Sequence, residues 1–319
     1  MVSPEQSTPP EESKRQPMVL FRKGKSVLEL RFWYGPSGAR PVIASRSTAL
    51  PSPSMLEQAL AVAAQAGIDT LYTEALHPAM AALFLTAGFT VTEELVVLSR
   101  RLGLVSRLPA AKRPKVPIEI AFVDSSADPS CYEELAVLDR RAFDGFWSLD
   151  SRGLWEAVRS THTASVLVAR CVAQRGETSS PTDKSAAFSQ KDLADGTISL
   201  FDTSFAGNVV AYAIVGYYKR TAYLQRLAVD PALEGNGIGT SIAVAALARA
   251  KRRLAAIMWV NTPVRNERAL SLYESLGFRR HPTPLLVLKR QFTTSSISRE
   301  PRSAPKPATM PGVNDDDDS

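Results

Sequence analysis

"RLAVDPALEGNGIGTSIAVAAL", residues 226–247, decides how the rest of the chain is read. Gly235, Gly237 and Gly239 fall within five positions, after a β-rich apolar run and before an alanine-rich helical one. Glycine loses more conformational freedom on folding than any other residue, so three together need a reason. Between a strand and a helix they leave several backbone N–H groups unshielded by a Cβ, at the positive end of the helix. That is a site for phosphate oxygens. A tight turn with no ligand accounts for one glycine, less easily for three. Two better-known phosphate loops fit poorly. The dinucleotide pattern needs two residues before its last glycine, where only Ile238 stands, and the P-loop needs a lysine where Thr240 stands.

Working outward, residues 117–292 alternate strand and helix patterns. "IEIAFV" (118–123), "ASVLVARCV" (164–172), "VVAYAIVGYY" (209–218), "AYLQRLAV" (222–229), "AIMWVN" (256–261) and "LLVLKR" (285–290) are β-branched or alternating runs. Helical spacing covers 131–143, 153–161, 240–254 and 266–277. The order points to a mixed α/β sheet.

The chain has 319 residues, 45% of them hydrophobic, enough for two ordinary domains or one large one. No apolar run reaches membrane-spanning length, and the polar, proline-rich start lacks the apolar core of a signal peptide. A cytoplasmic protein is the expectation. Cys131 and Cys171 do not make a disulfide framework. With three histidines and no metal-ligand spacing, no metal is expected. A net charge of +6 is a mild bias, compatible with a nucleotide ligand, an acidic partner or nothing in particular. Residues 1–17 and the tail 293–319, ending "NDDDDS", read as disordered. Residues 103–116 read as a basic linker, and 174–196 as a flexible loop.

An internal repeat runs at an offset of 189 residues. "HPAMAALFLTAGF" (77–89) lies over "NERALSLYESLGF" (266–278), and "GIDTLYTE" (67–74) over "AIMWVNTP" (256–263). Each copy continues through a Val/Leu-rich strand to a basic residue, Arg100 or Lys289. A strand, a helix ending in Gly-Phe and a further strand in one register point to a duplication, with two unrelated αβ units as the alternative.

"LAVDPALEGNGIGTSI" resembles motif A of the GCN5-related N-acetyltransferases, whose pattern is Q/R-x-x-G-x-G/A after the fourth strand. "VRNERALSLYESLGF" (264–278) resembles their motif B. The resemblance implies a mixed, mostly antiparallel α/β sheet flanked by helices over 117–292, with residues 18–102 a degenerate half of the same fold. Glu234 departs from the pattern, since Gln or Arg is usual there.

The resemblance also implies acetyl-CoA as co-substrate, lying in a V between the fourth and fifth strands. Backbone groups of Leu227, Ala228 and Val229 would pair with the pantetheine arm, as an added strand would. The Val229 N–H would face the thioester carbonyl. The loop Gly235, Asn236, Gly237, Ile238, Gly239 and Thr240 would cradle the pyrophosphate. Asn266 would grip the pantetheine arm, and Tyr273, about 10 Å further along the helix, would protonate the departing thiolate. Spacing alone favours Tyr273 as a core aromatic on an amphipathic stripe, and the resemblance reverses that preference. No histidine is placed to act as base, so proton loss through water is the default.

The first repeat carries His77 for Asn266 and Phe84 for Tyr273, and "LPSPS" (50–54) where the phosphate loop belongs. It is expected to shape or cover the working domain without binding acetyl-CoA. In "FDGFWSLDSRGLWEA" (143–157), Phe143, Phe146 and Trp147 line an acceptor pocket or fill the core. Asp144 and Asp150 attract an amine or cap helices. The tract mildly resembles the acceptor loop of bacterial ribosomal-protein N-terminal acetyltransferases. The expected activity is acetyl transfer to a primary amine, of a peptide N-terminus or a small molecule, by direct attack. The rival is an acyl-CoA-binding regulatory protein without turnover. No membrane or nucleic-acid partner is expected.

Overall fold

The computed structural model describes residues 19–45, 49–103, 107–109, 113–123, 130–172 and 207–292. The expectations for 1–17, 174–196 and 293–319 lie outside these residues.

The N-terminal unit begins with a meander of β1 (Val19–Lys23), β2 (Ser26–Gly35) and β3 (Gly38–Ser45). Helix α1 (Pro53–Gln65), β4 (Thr70–Thr73) and α2 (Pro78–Thr86) follow. On β2, Leu28 and Leu30 point to one face and pack with α1 and α2 residues such as Leu56, Ala59 and Phe84. Strand alternation puts Arg31 and Trp33 on the other face. The "LPSPS" segment leads into α1, whose first turn is closed by Ser52: its Oγ accepts the Met55 N–H at 3.3 Å.

After β5 (Thr90–Arg101), the C-terminal unit runs β6 (Ile118–Val123), α3 (Ser130–Ala142), α4 (Ser151–Arg159), β7 (Thr163–Cys171), β8 (Val209–Tyr218) and β9 (Thr221–Val229). The glycine loop and α5 (Ile238–Arg252) come next, then β10 (Ile257–Pro263), α6 (Glu267–Ser275), a short β11 (Arg279–Arg280) and β12 (Leu285–Gln291). The strands make one mixed sheet in the order β1-β2-β3-β4-β12-β5-β10-β9-β8-β7-β6, with β11 against β5. Among the described residues, the parallel pairs are β3–β4 and β9–β10.

The two units exchange their closing strands. β5, which closes the first unit in sequence, pairs with β10 from Ile257↔Arg101 to Pro263↔Leu95. β12, which closes the second, pairs with β4 from Lys289↔Tyr72 to Gln291↔Thr70. The exchanged strands also pair with each other antiparallel, from Leu285↔Leu95 to Lys289↔Thr90, with a bulge at Val287/Leu288. Packing follows the pairing. Leu98 and Leu102 are buried in the C-terminal core with Met258 and Phe278. Leu288 is buried in the N-terminal core with Leu71 and Phe84. Pairing and packing therefore cross the line drawn between 18–102 and 117–292.

The C-terminal sheet has α5 and α6 on one face and α3 and α4 on the other. The N-terminal unit meets the α3–α4 side. Gly153 of α4 lies so close to β2 that a Cβ there would collide with the Tyr34 carbonyl. Trp33, Tyr72, Phe146 and Trp147 form a chain of tilted and edge-on rings with centroids 5.0–5.8 Å apart, arrangements that aromatic quadrupoles favour.

Candidate active site

A cavity of about 1310 Å³ lies where β9, α6, the 143–149 loop and the N-terminal sheet converge. Its central wall is β9. Gln225 is an extra residue against β8: Ile214 pairs with Arg226, yet Val215 pairs with Leu224. Such a bulge bends the strand and re-aims its side chains. β9 pairs with β10 only at Ile257↔Thr221, Met258↔Ala222 and Trp259↔Tyr223. Beyond those pairs the two parallel strands part, as the resemblance anticipates.

The parting leaves polar backbone open. Asp230 N donates to Val210 O at 2.9 Å on the β8 side. Backbone groups alternate sides along a strand, so those of Leu227 and Val229 face the split. Ala228 instead turns its backbone groups toward Tyr212 of β8, and of the three expected backbone contacts it is the one the register leaves out.

The glycine loop closes one end of the cavity. Gly235 and Gly237 have φ of 77° and 81°, a left-handed backbone that costs other residues roughly 1–2 kcal/mol. Gly237 is the N-cap of α5 and makes no side-chain cap bond. By contrast, Ser52, His77, Asp150 and Asn266 each cap their own helix with a side-chain acceptor. The first turn of α5, including Ile238, Gly239 and Thr240, thus lacks the side-chain acceptor those helices have. Gly239 packs where an added Cβ would sit 3.5 Å from Val229 and 3.6 Å from Leu272. The 103–116 segment abuts the loop, with Lys115 N donating to Asn236 O at 2.9 Å. Glu234, the departure from the motif, makes an ion pair with Arg268 of α6.

On α6, Asn266 is the N-cap: its Oδ1 accepts the Ala269 N–H at 3.1 Å. Its amide NH₂ group is the part left for a ligand. Tyr273 is 6% exposed, packs against Phe278 with centroids 5.7 Å apart, and still lines the cavity. Burial pushes its phenol above the usual range. The packing and cavity roles set against each other in the sequence coexist in one side chain.

Asp139 is fully buried behind the cavity wall, and Arg226, on the wall itself, is nearly so. Arg226 donates to both Asp139 oxygens at 2.7 Å and to the Trp147 carbonyl at 2.6 Å. Asp139 also accepts from Leu149 N at 2.6 Å and from the Tyr212 hydroxyl. The Arg226 guanidinium lies 3.8 Å from the Phe143 ring centre, a cation–π contact. This network holds the 143–149 loop in place. Sequence reading missed it, because its members are far apart in the chain and carry no spacing pattern.

Phe143 and Trp147 line the cavity, whereas Phe146 packs between Trp33, Tyr72 and Trp147. Asp150 caps α4 through Gly153 N at 2.8 Å. Asp144 accepts from Phe146 N and Trp147 N at 3.1 Å and pairs with Arg265. Both acids act as local caps. His77 caps α2, His281 bonds Ser99 at 2.8 Å and stacks on Trp259, and His162 is exposed. None of the three lines the cavity. Among the described residues no group of three or more His, Cys, Asp or Glu converges, and no helix is long and apolar enough to cross a membrane.

The sequence model of the Acetyltransferase (GNAT) family matches residues 168–278. The chain is 28% identical over 100 residues to the ribosomal protein bS18-alanine N-acetyltransferase of Escherichia coli strain K12. That alignment covers 31% of this chain and 64% of the relative, so the chain spans just under two thirds of the curated relative's length. In fold it is similar to a tandem GNAT protein from the clavulanic acid biosynthesis pathway, with TM-score 0.55 and 13% identity over 85% of this chain and 81% of the other. It is also similar to a GCN5-related N-acetyltransferase from Sphaerobacter thermophilus, with TM-score 0.52 and 11% identity over 84% and 76%. These two likenesses speak to fold alone.

Proposed function

We propose that residues 168–278, which match the Acetyltransferase (GNAT) family model, form an acetyltransferase domain that transfers an acetyl group from acetyl-CoA to a primary amine by direct attack in a ternary complex. The observation that carries this is the parting of β9 from β10 beside a left-handed glycine loop at a helix start without a side-chain cap. An extended amide arm fits the first feature by adding a strand, and a diphosphate fits the second. The backbone groups of Leu227 and Val229 hold the pantetheine arm. The donors of 235–240 hold the diphosphate. The Asn266 amide NH₂ reaches the arm from α6. The Val229 N–H faces the thioester carbonyl, where a fixed donor stabilises the charge that develops on attack. Tyr273 keeps its proton at neutral pH and gives it to the leaving sulfur.

The alanine N-acetyltransferase likeness supports an amine acceptor. In this reading the N-terminal unit carries no acetyl-CoA of its own, because at the start of α1 the Ser52 Oγ takes the Met55 N–H and Pro53 has no N–H to offer. The reading is tested by amine-dependent release of free thiol from acetyl-CoA over a panel of amines and peptides, with calorimetry for binding. One acetyl-CoA per chain and amine-dependent release are expected. Binding without release under every amine would establish the regulatory alternative.

A further inference from the structure

The cavity extends past the thioester position to the face of β2 that looks away from the N-terminal core. Arg31 and Trp33 stand there, two residues apart, and both line the cavity. A charged residue on such a face needs a partner. Three other arginines of the cavity wall have one. Arg226 pairs with Asp139, Arg265 with Glu93 and Asp144, and Arg268 with Glu234. Arg31 is half-buried, and its Nε is a buried donor with no hydrogen-bond partner among the described residues.

A second orphan donor lines the same cavity, on a ring that packs against Trp33. The Trp147 indole Nε1 is buried and unpartnered among the described residues. Its ring is not free to turn away. Trp33 and Phe146 pack edge-on against it at 5.8 and 5.0 Å, and its carbonyl is held by Arg226. Buried donors without partners are rare in folded proteins and call for a ligand or a water. Here one donor is cationic, one is neutral, and the two come from different units of the chain.

We propose that Arg31 and Trp147 form an anion subsite that selects amine acceptors carrying a carboxylate. A guanidinium is suited to a planar carboxylate. One cation balances one negative charge, whereas a phosphate group carries nearly two. On this account the N-terminal unit supplies a specificity-determining residue. The subsite's position in the acceptor half of the cavity rests on the acetyltransferase reading.

The test pairs acceptors that differ only in the carboxylate: ω-amino acids against alkylamines of equal length, and short peptides with free against amidated C-termini. Binding to the full chain is measured by calorimetry with and without CoA, alongside KM for thiol release. The carboxylate member of at least one series is expected to bind roughly ten- to hundredfold tighter, the range of a hydrogen bond to a charged group. Which series shows the preference separates a free amino acid from a peptide terminus. Arg31→Met collapses the preference toward one. Arg31→Lys keeps part of it, since charge remains but the fork is lost. Trp147→Phe keeps an aromatic ring at the position while deleting the N–H and part of the indole, and weakens the same carboxylate ligands severalfold relative to their uncharged partners. Equal binding within every pair, or a preference that survives Arg31→Met in a folded variant, overturns the proposal. An Arg31-dependent preference in a chain that releases no thiol keeps the subsite and discards the acetyltransferase reading.

Discussion

Arg226, on the central wall of the cavity, donates to both carboxylate oxygens of the fully buried Asp139 at 2.7 Å. The same guanidinium nitrogen that reaches Asp139 Oδ1 also holds the Trp147 carbonyl. One ion pair thus ties β9 to the 143–149 loop. Removing one member leaves a buried charge uncompensated, which costs about 3–5 kcal/mol. Asp139→Asn is therefore expected to lower the unfolding free energy by that order in urea melts. Replacing both Asp139 and Arg226 with apolar residues is expected to cost less than the single change. A double variant no more stable than the single one would refute this account.

The glycine loop should be intolerant for reasons of backbone before charge. Gly237 sits at φ 81°, so Gly237→Ala is expected to cost roughly 1–2 kcal/mol of stability and to weaken CoA binding. Gly237→Glu adds an acid beside the diphosphate and should abolish binding in calorimetry. Undiminished CoA affinity in the glutamate variant would move the diphosphate elsewhere.

Tyr273→Phe keeps the ring that packs on Phe278 and removes only the hydroxyl. Turnover should fall while acetyl-CoA affinity changes little. Asn266→Ala behaves differently, because Asn266 caps α6. It should lose about 1 kcal/mol of stability as well as affinity. Unchanged turnover in Tyr273→Phe would make Tyr273 a core residue and nothing more.

Burial raises the Tyr273 phenol above its ordinary value near 10. The neutral form therefore persists through any practical assay range, and the proton donor does not titrate away. The rate should rise with pH through the acceptor amine's own pKa and then level, and that rise should shift between acceptors of different basicity. A fall near pH 10 that disappears in Tyr273→Phe would contradict this. The same shift makes the fold lose stability above about pH 10, where the unfolded phenol ionises and the folded one does not.

Gly153 tests the junction between the units. A methyl there collides with the Tyr34 carbonyl, so Gly153→Ala must push α4 off β2. A loss of at least 1 kcal/mol in stability is expected, as for overpacking generally, together with a weakened acceptor KM and an intact CoA affinity. A variant with wild-type stability would mean that the units meet loosely.

Much of the site was legible because its parts are local. The three glycines, the strand before them and the helix after them adjoin in sequence, so their chemistry could be read as one stretch. The 266–278 helix announced its stripe by spacing, although its first residue proved to be a cap. Residues 118–123 and 209–218 read as strands and are strands with those bounds. Gln225 escaped notice, because a bulge depends on the register of the neighbouring strand and has no pattern of its own.

By itself the sequence determined the αβ order and the backbone donors that suit a diphosphate, since these follow from composition and spacing within a few turns of chain. Only the tertiary structure decided that β5 and β12 change places, that Arg226 finds Asp139, and that Arg31 faces the same cavity as Trp147. The two closing strands share a Val/Leu-rich pattern and a phase, so either could complete either sheet as far as local preference goes. Which one does is settled by long-range pairing and by which core each strand buries itself in, energies that no short window of sequence contains.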